Sequence, residues 1–375
     1  MLLRPTYAKV NLSAIKRNVI NIKKTLPEKT MFCAVAKADG YGHGSVMISK
    51  AAIEAGADWV AVAIPEEAAI LRDEGITEPI LVLGPSNRSQ WRKGAALNLS
   101  MVVTSHDCLK NALDAAKEIG RPMKLHLKVD TGMNRVGVKT LEEAGEMLDI
   151  IAGTEWLSLE GLMTHFATAD EADKAYTQQQ NACFQPFISL VKQKGFSPII
   201  HAANSGGTLD SPELAYDMVR VGIALYGCYP SDEVKRDVPL EPAMSLHTQV
   251  SHIKTIGPGE KLSYGATYTT DRETRLATLP IGYADGFNRL LSSRGEVLVG
   301  GQRAKVVGRV CMDQILVDVT DIEGVKLHDN VVCFGSQRGA SLPVEEYAAL
   351  CGTVNYEILC ALSPRVPRLY YEDEK

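Results

Sequence analysis

M-F-C-A-V-A-K-A-D-G-Y-G-H-G, residues 31–44, reads as a strand, a tight turn and the start of a helix. The apolar run 31–36 leads into Lys37, and Gly40, Gly42 and Gly44 interrupt the loop before a helical pattern begins near Ser45. A lysine at the end of a buried strand is costly as a cation, because desolvation favours the neutral amine, and a neutral amine is a nucleophile or a base. The glycines permit close approach of backbone to a ligand, and amides at a helix start favour an anion such as phosphate. Together these features suit a phosphorylated aldehyde held as a Schiff base. A surface lysine in a loop leading into a helix fits the stretch equally well, so the rest of the chain must decide.

The same strand-then-helix beat recurs outward from this stretch. Apolar strand candidates fall at 59–63, 80–84, 99–103, 123–129, 157–164, 198–202 and 217–221, with amphipathic stretches such as 105–119 and 173–194 between most of them. With 31–36 this makes eight strands with intervening helices, which implies an α/β chain built on a (β/α)8 barrel. An open doubly wound sheet is the competing arrangement. Catalytic groups of such barrels sit where strands end and loops begin. Those positions hold Lys37 after the first strand, Lys128 and Asp130 after the fifth, and His165 after the sixth. His201, Asn204 and Ser205 follow the seventh, and Arg220 with Gly222 closes the eighth. Any one of these fits a satisfied, half-buried polar residue; their joint placement at one rim is harder to explain that way.

After Tyr226 the rhythm stops. Residues 228–241 mix prolines with both charges and read as a linker, which places a barrel domain over 1–240 and a second domain over 241–375. The first ten or so residues alternate weakly from Thr6 and are candidates to pack with the second domain. Strand-like runs at 246–256, 274–280, 296–299, 304–319 and 330–334, punctuated by Gly and Asp, make that domain mostly β, with a short helix over 344–350 and an apolar segment over 356–362.

With 375 residues, a barrel of about 250 residues plus a smaller domain fits the length. A net charge of −5 argues against nucleic acid or an anionic membrane as the main partner. Eight cysteines without a C-x-x-C pair suggest reduced thiols of a cytoplasmic protein rather than disulfides or a zinc site, and no metal is expected. The N-terminus lacks a long apolar core, and no run approaches the roughly 20 apolar residues that span a bilayer.

Nine stretches in one order carry a family resemblance. They are V-A-K-A-D-G-Y-G-H-G (35–44), K-V-D-T-G-M-N-R-V-G (128–137), M-T-H-F-A-T-A-D (163–170), H-A-A-N-S-G-G (201–207) and R-V-G-I-A-L-Y-G (220–227), then S-Y-G-A-T-Y (263–268), I-G-Y-A-D-G (281–286), C-M-D-Q (311–314) and N-Y-E (355–357). Over essentially its full length the chain resembles the alanine racemases, pyridoxal-phosphate enzymes with a barrel and a β-domain. The resemblance implies that Lys37 holds pyridoxal phosphate as a Schiff base and, once displaced by substrate, serves as base on one face of the aldimine. It implies Tyr264 as the acid/base on the opposite face, with His165 and Arg220 in a relay near it, Arg220 donating to the pyridine nitrogen and His201 orienting Arg220. Because a guanidinium cannot accept the ring proton, the ring stays unprotonated and is a weaker electron sink.

By the same resemblance Tyr41, Ser205, the backbone of Gly222 and Ile223, and Tyr356 bind the phosphate, with Asn204 beside them and His165 packing on the ring. Arg135 and the backbone of Met312 meet the substrate carboxylate, with Tyr283 and Asp313 supporting. In many family members the lysine at position 128 is carbamylated; a plain ammonium with a bound anion is the alternative. The family assembles as a homodimer with shared active sites, so Lys37 and Tyr264 of one site are expected on different chains. The expected activity interconverts L- and D-alanine for peptidoglycan. A broader amino-acid racemase or a decarboxylase shares the scaffold, though retention of Tyr264 argues against decarboxylation. A non-catalytic cofactor carrier is a different class, and the β-domain weighs against it.

Overall fold

In a computed structural model of the chain, residues 4–373 are described. Two compact units emerge: one takes the chain up to Ser13, Tyr41–Gly44 and the chain from Pro242 onward; the other takes Ala14–Gly40 and Ser45–Glu241. Of the N-terminal segment expected to side with the second domain, residues 1–3 lie outside the described residues. The strand that follows, β1 (Tyr7–Asn11), is part of the β-rich unit.

The larger unit is built on eight parallel strands: β2 (Met31–Val35), β3 (Trp59–Val62), β4 (Ile80–Val82), β5 (Ser100–Val103), β6 (Met123–Lys128), β7 (Leu157–Met163), β8 (Ile199–His201) and β9 (Met218–Val221). Each pairs with its successor from β2 to β8, and β9 returns to pair with β2. Between β8 and β9 the amides of Asp217 and Arg220 donate to the carbonyls of Ile200 and Ala203, both at 3.0 Å, and nearly close the barrel. The open doubly wound sheet is thereby excluded. Alternation along each strand sorts the side chains: Val60, Val62, Leu125 and Leu127 join the apolar layer with Leu71, Trp91 and Leu109 of the helices. The residues between them, including Trp59, His126 and Lys128, turn to the other face, the barrel interior. Some of the helices start where the sequence offers caps: Ser105 accepts from the Cys108 amide at 3.3 Å, and Asn87 with Gln90 forms a capping box.

The turn after Lys37 departs from the simple glycine turn read from sequence. Ala38, Asp39 and Tyr41 share the left-handed conformation with Gly40, at φ of 53°, 51°, 51° and 61°. Such a conformation costs a non-glycine residue about 1–2 kcal/mol. Local bonds offset it. The Ala38 amide donates to Glu67 at 2.7 Å, and the Asp39 carboxylate accepts from the Ser45 amide at 2.9 Å. The first amide of the helix Ser45–Glu54 therefore faces a carboxylate of its own chain rather than a ligand anion.

The smaller unit holds β10 (Met244–Gln249), β11 (His252–Ile256), β12 (Lys261–Leu262), β13 (Tyr268–Thr269), β14 (Thr274–Leu279), β15 (Glu296–Val299), β16 (Gln302–Lys305), β17 (Ile315–Asp318), β18 (Asn330–Gln337), β19 (Ala340–Leu342) and β20 (Arg368–Tyr371). One sheet runs β16-β15-β18-β10-β1-β20 with β19 beside β18; a second runs β11-β14-β17; β12 and β13 form a hairpin. The run 246–256, read as one strand, is two strands in different sheets. At the junction the amides of Val250 and Ser251 turn to Asp329 and Thr278. The run 304–319 is likewise β16 and β17 separated by a loop; Val306 bridges to Val317, and Val310 is buried outside any strand. At Val310 hydrophobicity reports burial, not extended pairing. In this unit Arg4 donates to both oxygens of the fully buried Asp285, which also accepts from the Gly282 amide at 3.0 Å.

Among the described residues no helix is long and apolar enough to cross a membrane.

Candidate active site

Arg220 organises the barrel rim. Its residue is 3% exposed, and no ion pair to a described residue neutralises it. NH1 donates to His201 Nδ1 at 2.9 Å; NH2 shares its hydrogens among the carbonyls of Thr164 and Ala202, both at 2.9 Å, and His165 Nδ1 at 3.1 Å. Its Nε–H donates to no described residue, so that donor of a fixed, buried guanidinium stays free. Burial lowers the Arg220 pKa to about 10. Burial, reinforced by the Arg220 charge, holds His165 and His201 well below the usual imidazole range, so both rings are neutral. Gln180 fixes the His165 loop by donating to the His165 carbonyl at 3.1 Å and accepting from the Ala167 amide at 2.8 Å.

Two neighbouring loops bring further groups to the same unit. Lys128, at the end of β6, is 5% exposed. Burial first, then the charges of Arg220 and Arg135, push its pKa well down, with Asp130 opposing. The Asp130 carboxylate accepts from the amides of Gly132 and Asn134, at 3.1 and 2.9 Å, and shapes the loop that presents the exposed Arg135. After β8, Asn204 uses its side chain on backbone: Oδ1 accepts from the Gly207 amide at 3.0 Å and Nδ2 donates to the Phe166 carbonyl at 3.2 Å. Ser205 Oγ accepts from the amides of Gly222 and Ala224 at 3.0 and 3.3 Å, while the Ile223 amide between them donates to no described residue. This is a small anion-receptive cluster of hydroxyl and backbone N–H groups. Lys37 is half-buried just past β2.

The remaining expected residues lie in the β-rich unit. Tyr264 occupies a 3-10 turn between β12 and β13; it is 71% exposed and hydrogen-bonds to no described residue. The turn is held by Ser263, whose Oγ donates to the Arg309 carbonyl at 2.7 Å, and by Gly265 at φ 73°, where a Cβ would lie 2.7 Å from the Arg309 guanidinium. Met312, 52% exposed, sits in the loop between β16 and β17. The carbonyls of Cys311 and Met312 accept from the amides of Tyr283 and Ala284, each at 3.0 Å. Gly282 leaves room for them, since a Cβ there would stand 2.3 Å from the Met312 carbonyl oxygen. Asp313 accepts from Arg365 at 2.7 Å. The rings of Tyr41 and Tyr356 lie 5.9 Å apart, and burial raises the Tyr41 pKa well above its usual value. Among the described residues no group of three or more His, Cys, Asp or Glu is placed to hold a metal ion.

Sequence reasoning overlooked His126, Glu160, Thr164, Gln180 and Ala224. A signal existed for one of them: in K-L-H-L-K, residues 124–128, alternation places Lys124, His126 and Lys128 on a single strand face.

Two family descriptions match consecutive parts of the chain: "Alanine racemase, N-terminal domain" over residues 10–230 and "Alanine racemase, C-terminal domain" over 243–370. An alanine racemase of Desulforamulus reducens is 46% identical over 368 residues, 98% of this chain and 99% of the relative. One from Methanococcus maripaludis is 44% identical over 99% of this chain and all of its own length. Among solved structures, alanine racemase from Clostridium difficile superposes with a TM-score of 0.95 at 40% identity, covering 100% of this chain and 97% of that one. The Bacillus anthracis alanine racemase with bound L-Ala-P gives the same score, identity and coverage.

Proposed function

The chain belongs to the alanine racemase family, and from that premise we propose that it interconverts L- and D-alanine with pyridoxal phosphate as cofactor, using two acid/base groups. The observation that carries the cofactor assignment is the bonding of Arg220: a buried guanidinium fixed through NH1 and NH2, with Nε–H left to donate. A pyridine nitrogen is an acceptor that such a donor suits, and a guanidinium cannot give the ring a full proton. The second fit is the cluster of Ser205 Oγ and the amides of Gly222 and Ile223, which suits a phosphate. Bound covalently at Lys37, the cofactor supplies an electron sink that acidifies the α-proton of an amino acid.

The protein's own groups do the rest. Arg135 and the amide of Met312 hold the substrate carboxylate, with Tyr283 and Asp313 shaping the Met312 loop. The Lys37 amine moves the proton on the D face and Tyr264 the proton on the L face. His165 would pack beside the ring of the bound cofactor, His201 holds Arg220, and Asn204 fixes the loop that bears Ser205. The low basicity of the buried Lys128 amine suits carbamylation, since the neutral amine is the form that adds carbon dioxide, the alternative being an ammonium beside a bound anion. The exposure of Tyr264 and Met312 supports a homodimer in which these residues complete the partner's site. The protein works in the cytoplasm, and its D-alanine serves peptidoglycan.

Borohydride reduction of the purified protein, followed by peptide mapping, tests the core of this reading. Reduced cofactor should appear on Lys37; label on another lysine, or none, would sink it.

A further inference from the structure

A string of buried polar side chains runs from Arg220 through the barrel interior. His201 Nε2 lies 2.8 Å from His126 Nδ1, and His126 Nε2 lies 3.2 Å from Glu160 Oε2. Beyond it Ser100 donates to the same carboxylate oxygen, and Lys124 stands 3.4 Å from the other. Ser100 opens β5 and Lys124 lies near the start of β6, so the string leads from the rim to the opposite end of the strands.

The proton positions follow from the two ends. Arg220 can only donate, so His201 Nδ1 is a lone pair and the proton of that ring sits on Nε2. The ionised carboxylate can only accept, so the proton of His126 also sits on Nε2. The central bond then has one donor, His201, and one acceptor, His126. Both ends dictate the same direction. Reversing either one would set two donors, or two lone pairs, face to face inside a buried network, at a cost of about 1–3 kcal/mol. Burial, against the pull of Glu160, keeps His126 below its usual pKa; burial opposes ionisation of Glu160, but His126, Ser100 and Lys124 together lower its pKa.

The surrounding strands are shaped for this contact. In the β6–β7 pairing Leu125 opposes Leu159 and His126 opposes Gly161, which leaves Glu160 as the extra residue of a β-bulge. A bulge re-aims the side chain it carries. Gly161 is required for space: a Cβ there would lie 2.1 Å from His126 Nδ1. The Trp59 ring meets the His126 ring edge-on at 5.6 Å and holds its plane.

We propose that Glu160 is a positioning residue for Arg220, acting through His126 and His201: its carboxylate sets both rings as Nε2–H tautomers and so keeps His201 Nδ1 an acceptor for the guanidinium. The proposal deepens the functional reading above, resting on Arg220 facing the cofactor ring.

Nitrogen-15 NMR of the full chain, labelled in its histidine rings and assigned with a His126→Gln variant, reads the tautomers directly. In the unsubstituted protein His126 and His201 should each show a pyrrole-type Nε2 and a pyridine-type Nδ1. A proton on Nδ1 of either ring, or a doubly protonated ring near neutral pH, overturns the proposal without need of any variant at Glu160. Glu160→Gln keeps the shape but can donate as well as accept, so the His126 signals should move toward a mixture of tautomers and kcat should fall by roughly tenfold, the scale on which outer partners act. Ring spectra unchanged by Glu160→Gln overturn it equally. The spectra need no turnover, so absence of cofactor on Lys37 would sink the functional reading and leave this test readable.

Discussion

Arg220, in the barrel, is 3% exposed and bonds to two imidazoles and two carbonyls, whereas Tyr264, in the β-rich unit, is 71% exposed and hydrogen-bonds to no described residue. The first group is positioned by its own chain; the second is presented by a turn whose backbone is fixed while its side chain is left open. The difference separates residues whose loss damages fold and function together from residues whose loss should touch function alone.

Substitutions can break or sharpen that contrast. Lys37→Ala should cause the largest loss, about 10⁴-fold in kcat/KM, and abolish the absorption of bound cofactor. Tyr264→Phe should lower kcat by about 10²- to 10³-fold and slow solvent-deuterium exchange from L-alanine more than from D-alanine, with the thermal midpoint unmoved. Equal retention of exchange in both enantiomers would refute the two-base assignment, and a lowered midpoint would mean that the tyrosine also supports the fold. For Arg220→Lys the expectation reverses: denaturant unfolding should show about 2–3 kcal/mol of lost stability, because one ammonium cannot serve all four acceptors. Asp39→Ala should cost about 1 kcal/mol by removing the acceptor at Ser45 and relaxing a left-handed turn.

The smallest effect is on pH dependence, and both units should contribute. Burial depresses the pKa of His165 and His201 in the barrel and takes His247 of the β-rich unit from 6.5 to about 4. Below pH 6.5 the unfolded chain binds protons that the folded chain does not, so stability should fall as the pH drops from 6.5 toward 4 and be flat in these groups above 6.5. Replacing His247 with Gln should reduce that slope by close to one proton. An unchanged slope would show that the ring titrates in the folded state as it does in the unfolded one.

The barrel was legible because its signal is local: buried apolar runs alternate with amphipathic helices. The β-rich unit was less so. One apolar run there, 246–256, changes sheets at Val250, and another contains a buried loop, so continuity of hydrophobicity did not mean continuity of strand. The polar groups at the strand ends could be picked out one by one, since a lysine, histidine or arginine after an apolar run stands out. Which bonds they make could not, because the acceptors of Arg220 come from two separate segments, 164–165 and 201–202.

The stretch 31–44 illustrates the division. The sequence alone determined that a strand delivers Lys37 to a turn and that a helix follows, because apolar periodicity and glycine placement are properties of neighbouring residues. Only the tertiary structure decided that Ala38 and Asp39 adopt left-handed conformations and that Asp39 closes the helix start. It alone brought Glu160 to His126, through a register shift between two strands. Such contacts depend on which strands become neighbours and in what register, and no local run of residues encodes that.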